Sequence, residues 1–238
     1  MKIDVVIPAY NEAERITPTL KSYADILSSW DSQILVVDDG SQDNTIEIVK
    51  ELSQDLPVKV LVLPMPHNQG KGAAVKHGFA FHREDCDAVF FADADGSTPA
   101  KEFYSLIKAF EEGFDVAVGS RAIGQIHRSQ TWIRDRMGKI FNKILKCLLP
   151  INISDTQCGF KLFKPEVVKI ILEKSFLNGF AFDVEFLVIA QKNGYTIKEI
   201  PVSWYHMDES RVHIIFDSLK MLKDLIRINI NRLLGRYG

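Results

Sequence analysis

The chain has 238 residues, of which 46% are hydrophobic and 25% are charged, and its net charge is −2 at pH 7. These values are those of an ordinary globular protein that can bury a substantial core. The nearly balanced charge gives no indication of nucleic-acid binding. The sequence contains no run of about 18 uncharged apolar residues, the length that a membrane-spanning helix needs. Because no linker or low-complexity tract interrupts the chain, a single domain over residues 1–238 is expected.

The cysteines and the amino terminus bear on the compartment. Cys86, Cys147 and Cys158 are odd in number and lack the spacing of a metal site, so they are expected to be reduced thiols. Met1 is followed almost at once by a predicted strand, so no signal peptide is expected. Together these features predict a cytoplasmic protein.

The first 120 residues alternate short apolar runs with helical patterns. Apolar runs at residues 3–7, 34–37, 88–91 and 116–118 predict buried strands. The helical patterns between them predict right-handed βαβ crossovers and a mostly parallel sheet flanked by helices, a Rossmann-like α/β fold. Thr17, which precedes a proline, is expected to cap the first helix.

Four polar clusters follow these predicted strands, and a fifth, at residues 68–72, stands at the head of a helical stretch. These clusters occupy residues 8–12, 38–41, 68–72, 93–95 and 119–121. The carboxyl ends of parallel strands lie along one edge of a sheet, where α/β proteins bind their ligands. We therefore expect the five clusters to converge on one site.

The cluster at residues 93–95 contains two acids, Asp93 and Asp95, directly after a buried strand. Such a concentration of negative charge needs a cation. Carboxylate oxygens suit Mg²⁺ or Mn²⁺, which are usually held together with the phosphates of a substrate. Asp95 is expected to be the better metal ligand, and Asp93 to contact the metal or a ribose. Taken alone, the pair could also be a solvated turn.

Together, the motifs at residues 8–12, 37–41, 70–72 and 93–95 resemble those of family 2 glycosyltransferases, which have the GT-A fold. The sequence at residues 155–163, with shorter motifs near positions 183 and 203, resembles the dolichyl-phosphate β-glucosyltransferase branch. Dolichyl-phosphate mannose synthases are close relatives of that branch. The resemblance covers nearly the whole chain.

The resemblance implies an inverting transfer of a hexose from a nucleotide sugar, with Mg²⁺ or Mn²⁺ on the diphosphate. Residues 1–121 would form the half that binds the nucleotide sugar, and residues 122–238 the half near the acceptor and the membrane. UDP-glucose is favoured over GDP-mannose as the donor, and a polyprenyl phosphate is the implied acceptor.

The nucleotide pocket is expected at the first clusters. Asp39 could accept the imide N–H of a uracil, and Tyr10 offers a flat face to the base, whereas Asp38 is expected to orient the backbone. The alternative for both acids is a simple turn. Lys71 could bind a phosphate, and its alternative is an exposed lysine at a helix start. The residues predicted to bind the nucleotide are Pro8, Ala9, Tyr10, Glu12, Asp39, Lys71, Asp93 and Ala94.

A lipid phosphate acceptor would need cations rather than a general base, because a phosphate monoester with a second pKa of about 6 is mostly anionic near pH 7. Arginine matches phosphate geometry. Arg121 and three later arginines, Arg128, Arg134 and Arg136, could supply this charge, although the last three could also form a solvated basic face. The predicted acceptor-binding residues are Arg121, Arg128, Arg134 and Gln157.

Several further residues are expected at the sugar and acceptor site. Asp155 and Lys161, like Gln157, are expected to border it. Asp183 and Glu185 lie in an otherwise apolar helical segment, where they either support the fold through salt bridges or line the cleft. Asp183 is placed closer to the chemistry. The predicted catalytic residues are Asp95, Arg121 and Asp183.

Two segments combine apolar residues at helical spacing with many basic ones. Residues 131–149 begin near Trp132 and favour an interfacial membrane helix. For residues 214–234, membrane binding and packing on the sheet are equally supported. These amphipathic helices predict peripheral association with the cytoplasmic face of a membrane.

Three functions remain open at this point. The first is a membrane-associated synthase that transfers a hexose to a polyprenyl phosphate. The second is a soluble family 2 enzyme that acts on a saccharide hydroxyl and uses a carboxylate base. The third is a nucleotide-sugar sensor without catalysis, which the acid pair beside Arg121 disfavours.

Overall fold

The computed structural model describes residues 1–126, 144–145, 148–205 and 214–238. Within these residues the chain forms seven strands and seven α-helices. In chain order they are β1 (Lys2–Ala9), α1 (Ile16–Leu27), β2 (Asp31–Asp38), α2 (Thr45–Leu52), β3 (Lys59–Pro64), α3 (Lys71–Ala80), β4 (Ala88–Ala92), α4 (Phe103–Glu111), β5 (Val116–Ile126), β6 (Phe160–Phe163), α5 (Pro165–Lys174), α6 (Phe182–Lys192), β7 (Ile197–Trp204) and α7 (Ile214–Leu233).

The strands form a single sheet in the order β3-β2-β1-β4-β6-β5-β7. All neighbouring pairs are parallel except those of β6, which runs antiparallel to both β4 and β5. The mostly parallel α/β sheet is therefore confirmed. Because β6 is reversed, its first residues lie at the edge where the other strands end.

Helices cover both faces of the sheet, which explains why its central strands are apolar on both sides. Val6 and Phe91 face a core that includes side chains of α3, α5, α6 and α7. Val5 and Phe90 face a second core, which includes side chains of α1, α2 and α4. Each fully buried side chain of this size contributes about 1.5–3 kcal/mol to the stability of the fold. The loops that carry the site are thus attached to a sheet with a packed core on each face.

The first helix begins earlier than the sequence predicted. The carbonyl of Glu12 accepts hydrogen bonds from the N–H groups of Arg15 and Ile16, both at 2.9 Å, which starts the helical path before Thr17. Thr17 consequently lies inside the first turn of α1, and the expectation that it caps the helix was wrong.

The carboxyl-terminal helix α7 has two different faces. Leu225 and Ile228 are fully buried in the core. On the other face, four apolar side chains that we call the outer stripe are 47–69% exposed, and they are Leu219, Ile226, Ile230 and Leu233. Across the ranges that the structure covers, no helix is both long and apolar enough to span a bilayer.

The other candidate membrane segment, residues 131–149, lies mostly outside the described residues. At its end, Leu145 and Leu149 are each 1% exposed and belong to the hydrophobic core. That end therefore packs as an ordinary surface helix would.

Candidate active site

The predicted convergence of the polar clusters is observed at the ends of β1, β2 and β4. Ala9 and Asp38 are paired in the sheet, and the N–H of Asp39 donates to the carbonyl of Ala9 at 2.8 Å. The N–H of Asp93 donates to the carbonyl of Gly159 at 3.0 Å, just before the reversed strand β6. The reversal of β6 thus brings the motif at residues 155–159 to the acid pair.

The loop after β1 and the loop after β2 form one unit. Asn11 has a positive φ of 55°, and its N–H donates to Ser41 Oγ at 2.9 Å. The N–H of Glu12 donates to Thr45 Oγ1 at 2.8 Å. The carboxylate of Glu12 accepts two hydrogen bonds from Arg15, at 2.6 and 2.8 Å. The negative charge of Glu12 is therefore balanced by Arg15.

The two acids after β2 hold two different turns. Asp38 Oδ2 accepts the N–H of Ser41 at 3.0 Å, which confirms its expected role in orienting the backbone. Asp39 is 3% exposed and accepts the N–H groups of Gln69 at 2.7 Å and Gly70 at 2.9 Å. Burial raises the pKa of Asp39, and these two hydrogen bonds oppose that shift. Asp39 thus fixes the turn before α3, a contact that its sequence position did not reveal.

Lys71, the first residue of α3, contacts the acid pair. Its Nζ lies 2.5 Å from Oδ1 of Asp93, and its side chain is 26% exposed, so it is not the exposed lysine of the alternative interpretation. Burial alone would lower the pKa of Lys71. The negative charges of Asp93 and Asp183 raise it above the ordinary lysine value. Lys71 therefore supplies a positive charge next to the acid pair.

The carboxylates of the acid pair are the side chains at this edge that could hold a divalent metal ion. Gly159 lies so close to Asp93 that a Cβ on Gly159 would be 2.2 Å from the carboxylate atoms, which shows that the glycine forms a cradle for this side chain. Asp95 Oδ1 accepts the N–H of Ser97 at 2.9 Å, which orients the second carboxylate. Within the described ranges, no group of three or more metal-binding side chains occurs. Two carboxylates fit an ion that takes its other ligands from water and phosphates.

Arg121 is held by an acid from the motif before β6. Its Nε and Nη2 donate to the carboxylate of Asp155 at 2.6 and 2.8 Å, and its backbone N–H donates at 3.0 Å. Glu199 on β7 accepts the N–H groups of Ser154 and Asp155. Burial alone would raise the pKa of Asp155, but Arg121 lowers it below the ordinary value. This network gives Arg121 a fixed position, with its side chain still 28% exposed.

Lys161 and Asp183 form an ion pair in the interior. Lys161 is 0% exposed, and its ammonium group also donates to the carbonyl of Cys158 at 2.6 Å. The expectation that Lys161 borders the sugar site was therefore wrong, because β6 is buried on both faces. Asp183 is 3% exposed, and its ion pair fits the supporting alternative. Removing one partner of such a pair costs about 3–5 kcal/mol.

Glu185 also supports the fold, although through hydrogen bonds to neutral groups. It is fully buried and accepts the N–H of Leu177 at 2.9 Å and the hydroxyl of Tyr237 at 2.7 Å. The carbonyl of the next residue in that loop, Asn178, accepts the N–H of Gly72 at 2.8 Å. Glu185 therefore joins the end of the chain to the loop that receives the first turn of α3.

The structure describes some of the remaining predicted site residues, whereas others lie outside the described ranges. Gln157 is partly buried, and its N–H donates to Asp155. Pro8, Ala9 and Ala94 are buried at the sheet edge, and Tyr10 is partly exposed there. Three arginines of the acceptor prediction lie outside the described residues, namely Arg128, Arg134 and Arg136.

Comparisons with known proteins agree with this architecture. The family model described as Glycosyl transferase family 2 matches residues 4–172. The dolichyl-phosphate β-glucosyltransferase of Saccharomyces cerevisiae is 36% identical over an alignment 260 residues long, gaps included. The alignment covers 99% of this chain and 76% of the yeast protein. Dolichyl-phosphate β-glucosyltransferase ALG5C of Trichomonas vaginalis is 36% identical over 239 residues, or 94% of this chain and 70% of that protein.

A solved structure gives the same fold. Glucosyl-3-phosphoglycerate synthase from Mycobacterium tuberculosis, in complex with Mn²⁺, UDP and phosphoglyceric acid, aligns with a TM-score of 0.70 and 20% identity. The alignment covers 100% of this chain and 78% of that one. The chain therefore belongs to glycosyl transferase family 2, has the GT-A fold, and is a glycosyltransferase.

Proposed function

We propose that this enzyme transfers glucose from UDP-glucose to a polyprenyl phosphate of the dolichyl type, with inversion at C1. The names of the relatives from yeast and Trichomonas support the glucose and the lipid acceptor. The UDP and Mn²⁺ bound to the mycobacterial structure support a uridine nucleotide and a divalent ion.

The choice of a phosphate acceptor rests on one observation, namely that carboxylates around the acid pair are already engaged in ion pairs or hydrogen bonds. A saccharide hydroxyl needs a carboxylate base, whereas a phosphate acceptor does not. Four of the carboxylates near the edge are engaged by cations or N–H groups, and they are Glu12 with Arg15, Asp39 with the turn before α3, Asp155 with Arg121, and Asp183 with Lys161. This pattern favours an acceptor that is already anionic.

The chain's own groups then have distinct tasks. Asp95 and Asp93 would hold Mg²⁺ or Mn²⁺, which supplies positive charge to the leaving diphosphate. Arg121 binds the acceptor phosphate, because a guanidinium has five N–H donors and Asp155 receives two of them from the side chain. Asp155 keeps Arg121 from turning away. The phosphate oxygen attacks C1 as the bond from C1 to the diphosphate breaks, with no proton to remove.

The outer stripe of α7 is the proposed contact with the membrane. It carries four exposed apolar side chains, and four basic residues, Lys220, Lys223, Arg227 and Arg232, accompany it on the same helix. Basic residues near anionic headgroups contribute about 1 kcal/mol each, and the apolar side chains add hydrophobic burial. We place this contact at the cytoplasmic face of the membrane, and residues 131–149 remain the second proposed contact.

A transfer assay tests the reaction. The full chain is incubated with Mn²⁺ and labelled UDP-glucose, GDP-mannose or UDP-galactose, and with either a polyprenyl phosphate or a saccharide acceptor. We expect label in the lipid fraction with UDP-glucose alone. Label from GDP-mannose would overturn the donor assignment, and label in the saccharide fraction would overturn the lipid acceptor.

A flotation assay tests the membrane contact. Replacing Ile226, Ile230 and Leu233 with serine should release the protein from anionic vesicles without lowering its melting temperature, since these side chains are exposed. The matched control replaces Phe81 and Tyr104, which are 52% and 50% exposed outside α7, and should still float. Equal flotation of wild type and stripe variant would exclude α7 as the contact.

A further inference from the structure

Lys71 lies on the carboxylate that a divalent ion would need. Its Nζ is 2.5 Å from Oδ1 of Asp93, whereas Asp95 is bound by the N–H of Ser97. A carboxylate that is shared between an ammonium group and a metal ion must divide its oxygens between two cations. The position of Lys71 therefore bears directly on how the ion enters.

The backbone at Lys71 is fixed from two directions. Asp39 binds the N–H of Gly70 on one side, and the carbonyl of Asn178 accepts the N–H of Gly72 on the other. A Cβ on Gly70 would lie 2.6 Å from the oxygen of Asn178, so this turn packs closely against the loop of Asn178. The lysine can change partner only by rotation of its side chain.

A second, buried carboxylate, that of Asp183, also acts on Lys71. The charges of Asp93 and Asp183 both raise the pKa of Lys71, although burial alone would lower it. Asp183 also forms an ion pair with Lys161. The ring of Phe91 contacts both ammonium groups, with its centre 5.5 Å from Nζ of Lys71 and 5.9 Å from Nζ of Lys161. Lys71 is thus in direct contact with Asp93 and also within the electrostatic influence of the buried pair of Asp183 and Lys161.

We propose that Lys71 is an internal counter-ion that competes with the divalent metal for Asp93, and that the diphosphate of the donor relieves this competition by binding the lysine. The inference rests on the proposed function, because it requires that a metal and a nucleotide bind at this edge. Metal affinity and nucleotide affinity are then coupled through a single side chain.

The coupling follows from charge balance. A metal ion that enters alone brings two positive charges next to a lysine that has lost its partner. A diphosphate brings negative charge to both cations, so that Lys71 leaves Asp93 for a phosphate oxygen while the ion takes Asp93. By linkage, the nucleotide must then tighten metal binding by the same factor by which the metal tightens nucleotide binding.

Metal binding to the full chain tests this directly, without an activity measurement. Mn²⁺ affinity is measured by electron paramagnetic resonance with and without UDP, for the wild type, Lys71→Met and Lys71→Arg. We expect Lys71→Met to bind Mn²⁺ without UDP at least about tenfold more tightly than the wild type, which is about 1.4 kcal/mol. The tightening by UDP should shrink in Lys71→Met and persist in Lys71→Arg, which keeps the charge.

Lys76→Met is the matched control, because it removes the same charge from the same helix at a partly buried position away from Asp93. It should behave as the wild type. Lys71→Gln is the second neutral variant should the methionine disturb folding, which melting curves report. Unchanged Mn²⁺ affinity in folded Lys71→Met or Lys71→Gln would overturn the inference while leaving the proposed function in place. Failure of the wild type to bind Mn²⁺ even with UDP would overturn both.

Discussion

Replacing Gly159 with alanine tests the geometry of the acid pair with a single methyl group. The new Cβ would lie 2.2 Å from all three carboxylate atoms of Asp93, where ordinary contacts begin at 3.4 Å. The carboxylate must therefore retreat by about 1.2 Å or rotate to another rotamer. Either movement separates it from Lys71, 2.5 Å away, and from any ion that it holds.

The size of this movement sets the expected effect. Metal–ligand distances tolerate only about 0.2 Å, and a displacement of about 1 Å at a reacting group can cost about 100-fold in rate. We therefore expect Gly159→Ala to lower the transfer rate about 100-fold and to weaken Mn²⁺ binding in the presence of UDP. Overpacking at this buried site should also cost about 1–3 kcal/mol of stability.

The control separates lost stability from lost geometry. Gly78→Ala places a methyl group 2.4 Å from Cγ1 of Val6 in the core, and so overpacks a buried site without touching the acid pair. Both variants should melt below the wild type, but only Gly159→Ala should lose Mn²⁺ affinity at a temperature where both are folded. If Gly159→Ala bound Mn²⁺ as tightly and turned over as fast as the wild type, the role that we assign to Gly159 in positioning Asp93 would be refuted.

Three further predictions concern single side chains. Asp95→Asn should lower transfer by at least about 100-fold, because charge stabilisation by a metal is worth several kcal/mol; a rate within a few-fold of wild type would contradict the metal assignment. The lowered pKa of Asp155 means that its pair with Arg121 stabilises the fold above about pH 4 and is lost at lower pH, as the carboxylate becomes protonated. In urea unfolding, the stability difference between Asp155→Asn and wild type should therefore be larger at pH 7 than at pH 3, and an equal difference would count against the pair. Burial raises the pKa of Cys86 and Cys158 to about 12, so neither should react with iodoacetamide at pH 8 until urea unfolds the protein, as peptide mapping can show.

The sequence predicted the parts of the fold that depend on local pattern. Apolar runs and their spacing correctly indicated a mostly parallel sheet, and each polar cluster was expected at the end of its strand. The direction of β6 could not be read in this way, because a strand that is buried on both faces looks the same in either orientation. That reversal brings Gly159 against Asp93, so the cradle of the acid pair was also missed.

Pairings between distant charged side chains were the other limit. Asp155 was assigned to the site from its motif, yet its bidentate contact with Arg121 depends on the packing of β5 against β6. Lys161 could have been recognised, because Phe160, Leu162 and Phe163 surround it in a short apolar strand. A lysine in such a strand must be buried and paired. For Lys71 no comparable signal exists, since its partner comes from another loop.

Tyr237 ties the end of α7 to Glu185, and Glu185 holds the loop that receives the first turn of α3. The outer stripe and Lys71 are consequently parts of one connected block. A bilayer that binds the stripe would stand at a fixed height relative to the acid pair. If the proposed lipid acceptor is bound there, its phosphate would have to reach the acid pair from the bilayer surface, so the chain segment next to the phosphate would decide which lipids react.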